Sequence, residues 1–317
     1  MSSMRYGMET NAGLTYRVLG AVPHGTPQTV HYEAGVQWTG WRDALNVIEG
    51  RGINQQIRRV YGVLASRYRP GDRIFLFGYS RGAYAVRSLA GLIDRVGLLR
   101  REEATERNIR DAYRLYQNGL DSASFARVHC HADPVPIEMI GVWDTVKALG
   151  LRAPFLWKFS ETKHRFHNHT LGQAVRHGYH ALAYHETRVA YAPVLWVSRD
   201  DWHGEMVQMW FRGTHGDVGG QLGGYYPARP LANVPLVWML DRAQALGLVL
   251  PDRWQQSFPQ DAQAPSVGRF RGWSFMFLAR RRRIAGLDPS EQFHASVLNE
   301  RGDPEGGHST ARVSPPS

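Results

Sequence analysis

The sequence predicts an α/β protein with a mostly parallel sheet flanked by helices, and three observations carry that expectation. Between residues 53 and 93 a helical stripe, a turn, an apolar run, a serine between two glycines and a second helical stripe follow in succession. Such alternation over about forty residues is the rhythm of strands joined by helical crossovers. Two further apolar runs, at 136–144 and 206–213, end beside a polar residue able to do chemistry, Asp144 and His215. The chain has 317 residues, 43% of them hydrophobic, enough to bury a large core.

The elements can be justified in order. Ile53, Ile57, Val60, Tyr61 and Leu64 share one helical face, and Pro70-Gly71 then supplies a turn. The run from Ile74 to Phe77 reads as a buried strand, and Val86, Leu89, Ala90 and Ile93 continue as a helix. Residues 111–120 look helical, with Gly119 near the end. Residues 136–144 read as a buried strand, and 206–213 as another. The spacing of Ala174, Val175, Tyr179, Leu182 and Ala183 predicts a helix over 172–186. A further helix is expected over 232–248, with Asn233 as N-cap, Pro235 in the first turn and Gly247 at the C-terminal end. The polar stretch 301–317, rich in Gly, Ser and Pro, predicts a disordered tail.

Composition narrows the class. No apolar run is long enough to span a bilayer, and the first twenty residues lack the apolar region of a secretory signal. One cysteine, Cys130, excludes an intrachain disulfide and fits a reducing compartment. The net charge of +10 favours anionic partners such as a phospholipid surface or nucleic acid without choosing between them. Its densest run is Arg280-Arg281-Arg282-Arg283, read as a solvated face with an anion site as the rival. Aromatic and basic residues do not interleave, so nucleic acid is disfavoured. Histidines cluster at 163–169 and 177–185 without HExxH or Cys/His spacing, so no metal and no cofactor is expected.

Gly78-Tyr79-Ser80-Arg81-Gly82 matches the nucleophile-elbow pattern GxSxG. A serine on so sharp a strand-to-helix turn needs small neighbours two positions away, which Gly78 and Gly82 supply. The turn presents the hydroxyl at a helix N-terminus, where the Arg81 N–H would meet a developing oxyanion. A small polar N-cap is the plainer reading of the same turn. Serine needs a base, and the base a carboxylate to orient it. Asp144 and His215 each follow an apolar strand, in the order Ser, Asp, His. Asp217 is a rival acid but lies only two residues from His215, and His203 precedes its strand instead of following it.

Four stretches, "GDRIFLFGYSRGAYAVRSLAGLI", "GVWDTVKALG", "HALAYHETR" and "WFRGTHGDVGG", together resemble the catalytic domain of type VI secretion phospholipase effectors, a branch of the α/β-hydrolases. The likeness runs from "TNAGLTYRVL" to "FHASVL" near residue 298. It implies Ser80 as nucleophile, Asp144 as acid and His215 as base, with Tyr79 where Phe is usual and Gly216 where Ser is usual. His185 stands where the family has Asp, and no catalytic role is attached to it. The family opens with a strand ending in Asp-Gly-Thr, beside the nucleophile strand, whose loop contributes to the oxyanion hole. No such strand is read between Met1 and Thr10.

The resulting expectation is an α/β-hydrolase-like domain over residues 1–300, lacking that first strand, with 145–200 as a cap or lid insert. Its reaction would be hydrolysis of carboxylic esters, phospholipid acyl esters foremost, with the Arg81 or Arg87 side chain meeting the lipid phosphate. The alternative is an inactive family member that serves as a binding or interaction protein. The resemblance further implies type VI secretion components or an immunity protein as partners. It also implies a cytoplasmic protein in the producing cell, exported without a signal peptide.

Overall fold

The computed structural model describes residues 8–35, 51–146, 169–268 and 279–301. Five parallel strands form one sheet in the order β1-β2-β3-β4-β5: β1 Ile74–Tyr79, β2 Ile137–Trp143, β3 Val175–Ala183, β4 Glu205–Phe211 and β5 Glu291–Phe293. The register places Tyr79 beside Trp143 and Trp143 beside Ala181, so the C-terminal ends of the first three strands are level. Parallel strands are covered on both faces, and all seven residues of β2 are buried.

Helices supply the two layers. On one face α2 (Arg51–Arg67), α3 (Arg81–Val96) and α4 (Glu106–Asn118) pack on Ile74, Leu76, Ile140 and Val142. On the other face α1 (Asn11–Gly20) and α7 (Arg229–Ala245) pack on Tyr79, Met139, Trp143 and Met209. Three short helices complete the set: α5 (Ala123–His129) before β2, α6 (His215–Gly219) after β4 and α8 (Ala295–Arg301) after β5. Among the described residues no strand pairs with the far edge of β1. That edge faces a cavity of about 500 Å³ whose walls include Tyr16, Leu19, Val30, Tyr32, Ile57 and Val60.

Two sequence expectations are corrected. Residues 172–186 do not form a helix, because 175–183 is β3, a strand inside the sheet. Its last six residues are all buried, and burial on both faces erases the period-2 alternation that marks a strand in sequence. The spacing of Ala174, Val175, Tyr179, Leu182 and Ala183 thus matched a helix by coincidence. It follows that the proposed insert over 145–200 contains an integral strand. Its portion at 147–168, like the tail at 302–317, lies outside the described residues.

The second correction concerns α7, which begins at Arg229 and carries Pro230 in its first turn. Pro235 lies inside the helix and Asn233 is no N-cap. Asn233 donates instead to the Pro259 carbonyl at 2.8 Å, and the Pro235 carbonyl accepts from the Trp143 indole at 3.1 Å. An interior proline forfeits one helical hydrogen bond, a cost tolerated where the helix is clamped on a core. The C-terminal signal was sound, since Gly247 follows the helix at φ 88°.

The N-terminal helix is tied across the fold by one buried side chain. The Asn11 amide donates to the carbonyls of Val218 (2.9 Å) and Ala232 (3.0 Å), joining α1 to α6 and α7. Removing it takes a buried side-chain donor away from both carbonyls. Asn11→Ala is expected to lower unfolding stability by about 2–3 kcal/mol, measured as the change in urea midpoint at constant slope.

Candidate active site

The end of β1 turns directly into α3, and Ser80 occupies the turn. Its backbone sits at φ 57°, ψ −120°, a strained conformation for any residue with a side chain. The Ser80 N–H is held by the Trp143 carbonyl at 3.0 Å, so the ladder of β2 continues into the turn. Glycine is required on one side only. A Cβ at Gly78 would lie 2.6 Å from the Gly82 oxygen and 2.7 Å from the Ala83 nitrogen, all rigid backbone. A Cβ at Gly82 would meet nothing within 4 Å, which corrects the expectation that both glycines relieve crowding.

Asp144 follows β2 at φ 42° and is fully buried. His215 opens α6, where Thr214 and Asp217 form a capping box. The structure brings all three predicted residues together. His215 Nε2 is 3.0 Å from Ser80 Oγ, and His215 Nδ1 is 2.6 Å from Asp144 Oδ2. Asp144 Oδ1 also accepts from the Ala183 N–H at 3.1 Å. The rival acid Asp217 is occupied elsewhere, accepting from Thr214, Ser266 and the Val267 N–H, and so fixes the loop that carries His215.

Electrostatics set the protonation states. Burial pushes the Asp144 carboxyl up, but the Arg283 charge and hydrogen bonds from His215 and Arg283 outweigh it and hold the group well below the usual carboxylate range. For His215 burial dominates and pushes the imidazole below its ordinary value, against the opposing pull of Asp144 and Glu186. The ring is therefore neutral near pH 7, with one nitrogen free to accept a proton from Ser80. A serine hydroxyl, a neutral imidazole and an ionised carboxylate in line can generate a nucleophile.

Several neighbours were not found by sequence reasoning. Glu186 Oε2 accepts from the His215 N–H at 3.2 Å, and Arg188 pairs with Glu186 at 2.5 Å. The Arg188 guanidinium lies over the Tyr191 ring, and that ring stacks on His215 with centroids 4.6 Å apart. Tyr79, whose ring also contacts His215, donates its hydroxyl to the His215 carbonyl at 3.2 Å. The signal for Glu186 and Arg188 was present in "HETR", but nothing in spacing distinguished an acid that supports a backbone N–H from a surface acid.

Two of the expected anion contacts are reassigned. Arg87 is 3% exposed, donates to the Val194 carbonyl and lies over Trp196, so its guanidinium serves the interior instead of facing a phosphate. Burial pushes it down to about 9. Arg81 keeps partial exposure beside Ser80. The arginine run is not a uniform solvated face either, because Arg283 binds both oxygens of Asp144. The histidines at 177–185 are structural: His177 contacts the Glu138 carbonyl, and His180 and His185 accept from the N–H groups of Thr145 and Gly213. Burial above all holds His180 down to about 3, hence neutral. Most of the other cluster, 163–168, lies outside the described residues.

Residues 2–242 match the family model described as "T6SS, Phospholipase effector Tle1-like, catalytic domain". The chain belongs to this family. A segment is 33% identical over 112 residues to "Uncharacterized protein YEL023C" of Saccharomyces cerevisiae, covering 31% of this chain and 16% of that protein. Among solved structures, the Tle1 effector bound to the VgrG spike from the type 6 secretion system is 20% identical, with a TM-score of 0.30, over 56% of this chain and 32% of that one. The match thus spans less than a third of the length of the yeast protein and about a third of the effector. Among the described residues, no helix of this Tle1-like chain is long and apolar enough to cross a membrane.

The elbow yields a paired test. Gly78→Ala forces a methyl into backbone and is expected to cost more than about 2 kcal/mol or to abolish soluble expression. Gly82→Ala should stay within about 1 kcal/mol of the parent, both read by thermal and urea denaturation.

Proposed function

We propose that this chain is a serine hydrolase that cleaves phospholipid acyl esters through an acyl-enzyme. The observation that carries the reading is the unbroken line from Ser80 Oγ through His215 to Asp144, with contacts of 3.0 and 2.6 Å. Ser80 Oγ attacks the ester carbonyl carbon while its proton passes to His215 Nε2. The carbonyl oxygen becomes an oxyanion, stabilised by the Arg81 N–H at the start of α3. Collapse breaks the bond to the leaving alkoxide, which takes the proton from His215. Water then repeats the sequence, giving its proton to His215 and releasing the carboxylic acid and free Ser80.

The substrate class rests on membership of a phospholipase-effector family, and the basic net charge of +10 is compatible with an anionic lipid surface. Arg81 is the side chain assigned to the lipid phosphate, because it is adjacent to Ser80 and partly exposed. Type VI secretion components and a neutralising immunity protein are the partners this reading carries, with a cytoplasmic origin and export that needs no signal peptide.

Labelling with a fluorophosphonate probe, followed by intact mass, tests the reading without knowledge of the substrate. One adduct is expected, absent in Ser80→Ala; a folded protein that gains none would instead be an inactive binding member. The acid limb supplies a second expectation. His215 must be neutral to accept the proton, and its folded value is depressed. Labelling should therefore be independent of pH near neutrality and fall only below about pH 6.5. Arg81→Glu should reduce phospholipid turnover more than turnover of a neutral nitrophenyl ester; equal losses would remove Arg81 from the headgroup site.

A further inference from the structure

We infer that Arg283 is a positioning residue for the reaction, a fourth member of the site that locks Asp144 and tunes the basicity of His215. The inference rests on the serine-hydrolase reading of the same site. One guanidinium makes four contacts there. Arg283 Nη1 lies 2.5 Å from Asp144 Oδ1 and donates to the Ala183 carbonyl at 2.8 Å. Its Nη2 donates to Asp144 Oδ2 at 2.9 Å and to the Tyr191 carbonyl at 2.6 Å. The Arg283 side chain is 5% exposed and that of Asp144 is fully buried.

The geometry matters because Asp144 has only two oxygens and both are engaged twice. Oδ2 is shared between His215 Nδ1 and Arg283, and Oδ1 between the Ala183 N–H and Arg283. The carboxylate plane, and with it the direction in which His215 is held, is fixed by a planar fork that lysine cannot reproduce. The same guanidinium fixes the Tyr191 backbone, and the Tyr191 ring stacks on His215. The Nδ1 edge of the imidazole and its stack on Tyr191 are thus both tied to one arginine.

Its segment is anchored for the purpose. Residues 279–281 run antiparallel to 187–189, with the Arg281 N–H donating to the Thr187 carbonyl and the Val189 N–H to the Ala279 carbonyl. Arg283 lies forty-one residues beyond the end of the family match at 242, so the feature is not part of the matched domain.

The charge acts on the base as well. Around His215 are Asp144 after β2, Glu186 after β3, the rings of Tyr191 and Tyr79, and Ser80, with Arg188 behind Glu186 and Tyr191 and Arg283 behind Asp144. Glu186 is matched by Arg188. Taking away the Arg283 charge leaves the Asp144 carboxylate uncompensated, which favours imidazolium and raises the pH at which His215 becomes a base.

The test compares the full chain with Arg283→Gln and Arg283→Lys, scoring the rate of fluorophosphonate labelling at Ser80 from acid to alkaline pH. Arg283→Gln should label about tenfold more slowly at pH 7 and shift the acid limb upward by about one unit. Arg283→Lys should hold the limb near its original position while failing to restore the rate. A limb unmoved in Arg283→Gln with a uniform loss of rate would reduce Arg283 to a structural contact, and an unchanged rate in either variant would remove it altogether. The His215 ring resonances, titrated by NMR in the same proteins, report the shift without turnover. An upward shift there, with no Ser80 adduct even in the parent, would sink the hydrolase reading and keep the clamp. No shift in the variant would sink the clamp whatever the labelling shows. Should Arg283→Gln not fold, Arg283→Lys still decides, since labelling at the parent rate overturns the proposal.

Discussion

The charge on Asp144 is the constraint from which the rest of the site follows. A carboxylate with no solvent exposure is costly unless it is paired and fully hydrogen-bonded. Here the compensation comes from three places in the chain: the β3 end through Ala183, the α6 start through His215, and Arg283, which is itself held by the Tyr191 carbonyl. Each of those segments reaches the carboxylate at the C-terminal edge of the sheet. Assembly of the site and satisfaction of the buried charge are the same event.

Among the described residues, two strained backbone positions stand where β1 and β2 end. Ser80 and Asp144 are two of only three non-glycine residues with positive φ among the described residues, and they terminate adjacent strands. The Ser80 N–H bonded to the Trp143 carbonyl, and the Asp144 N–H bonded to the Ala181 carbonyl, extend the ladder up to each strained residue. A rigid parallel sheet buried on both faces can impose such dihedrals because its strands cannot slip without exposing one hydrophobic layer or the other.

How much of this was legible depended on the kind of signal. The elbow was legible because a strained turn demands particular residues in sequence: an apolar run, a glycine two positions before the serine, then a helix. Asp144 and His215 were legible because each stands directly after a strand. β3 was misread because a strand buried on both faces loses its alternation, and its His177 and His180 look like solvent-facing polar residues although they contact the Glu138 carbonyl and the Thr145 N–H. Asn233 and Pro235 were taken for helix-start signals because local rules do not know that a tryptophan on β2 will bond the carbonyl of that proline. Arg283 was invisible for a different reason. A run of four arginines reads as surface, and only the register of residues 279–281 against 187–189 turns one of them inward.

That last point bears on what a catalytic domain is. The matched family region ends at residue 242, after β4 and most of α7, and contains Ser80, Asp144 and His215. Yet the segment beyond it contributes β5, the Ser266 and Val267 contacts to Asp217, and the guanidinium on Asp144. Asp217 fixes the loop of His215, and Arg283 holds the Asp144 carboxylate. Under the proposed function, a fragment cut at the end of the match would retain Ser80, Asp144 and His215 and lose contacts that hold Asp144 and the His215 loop. Since misplacement of reacting groups by about 1 Å can cost on the order of a hundredfold in rate, the proposed reaction would need the C-terminal segment as well as the matched region.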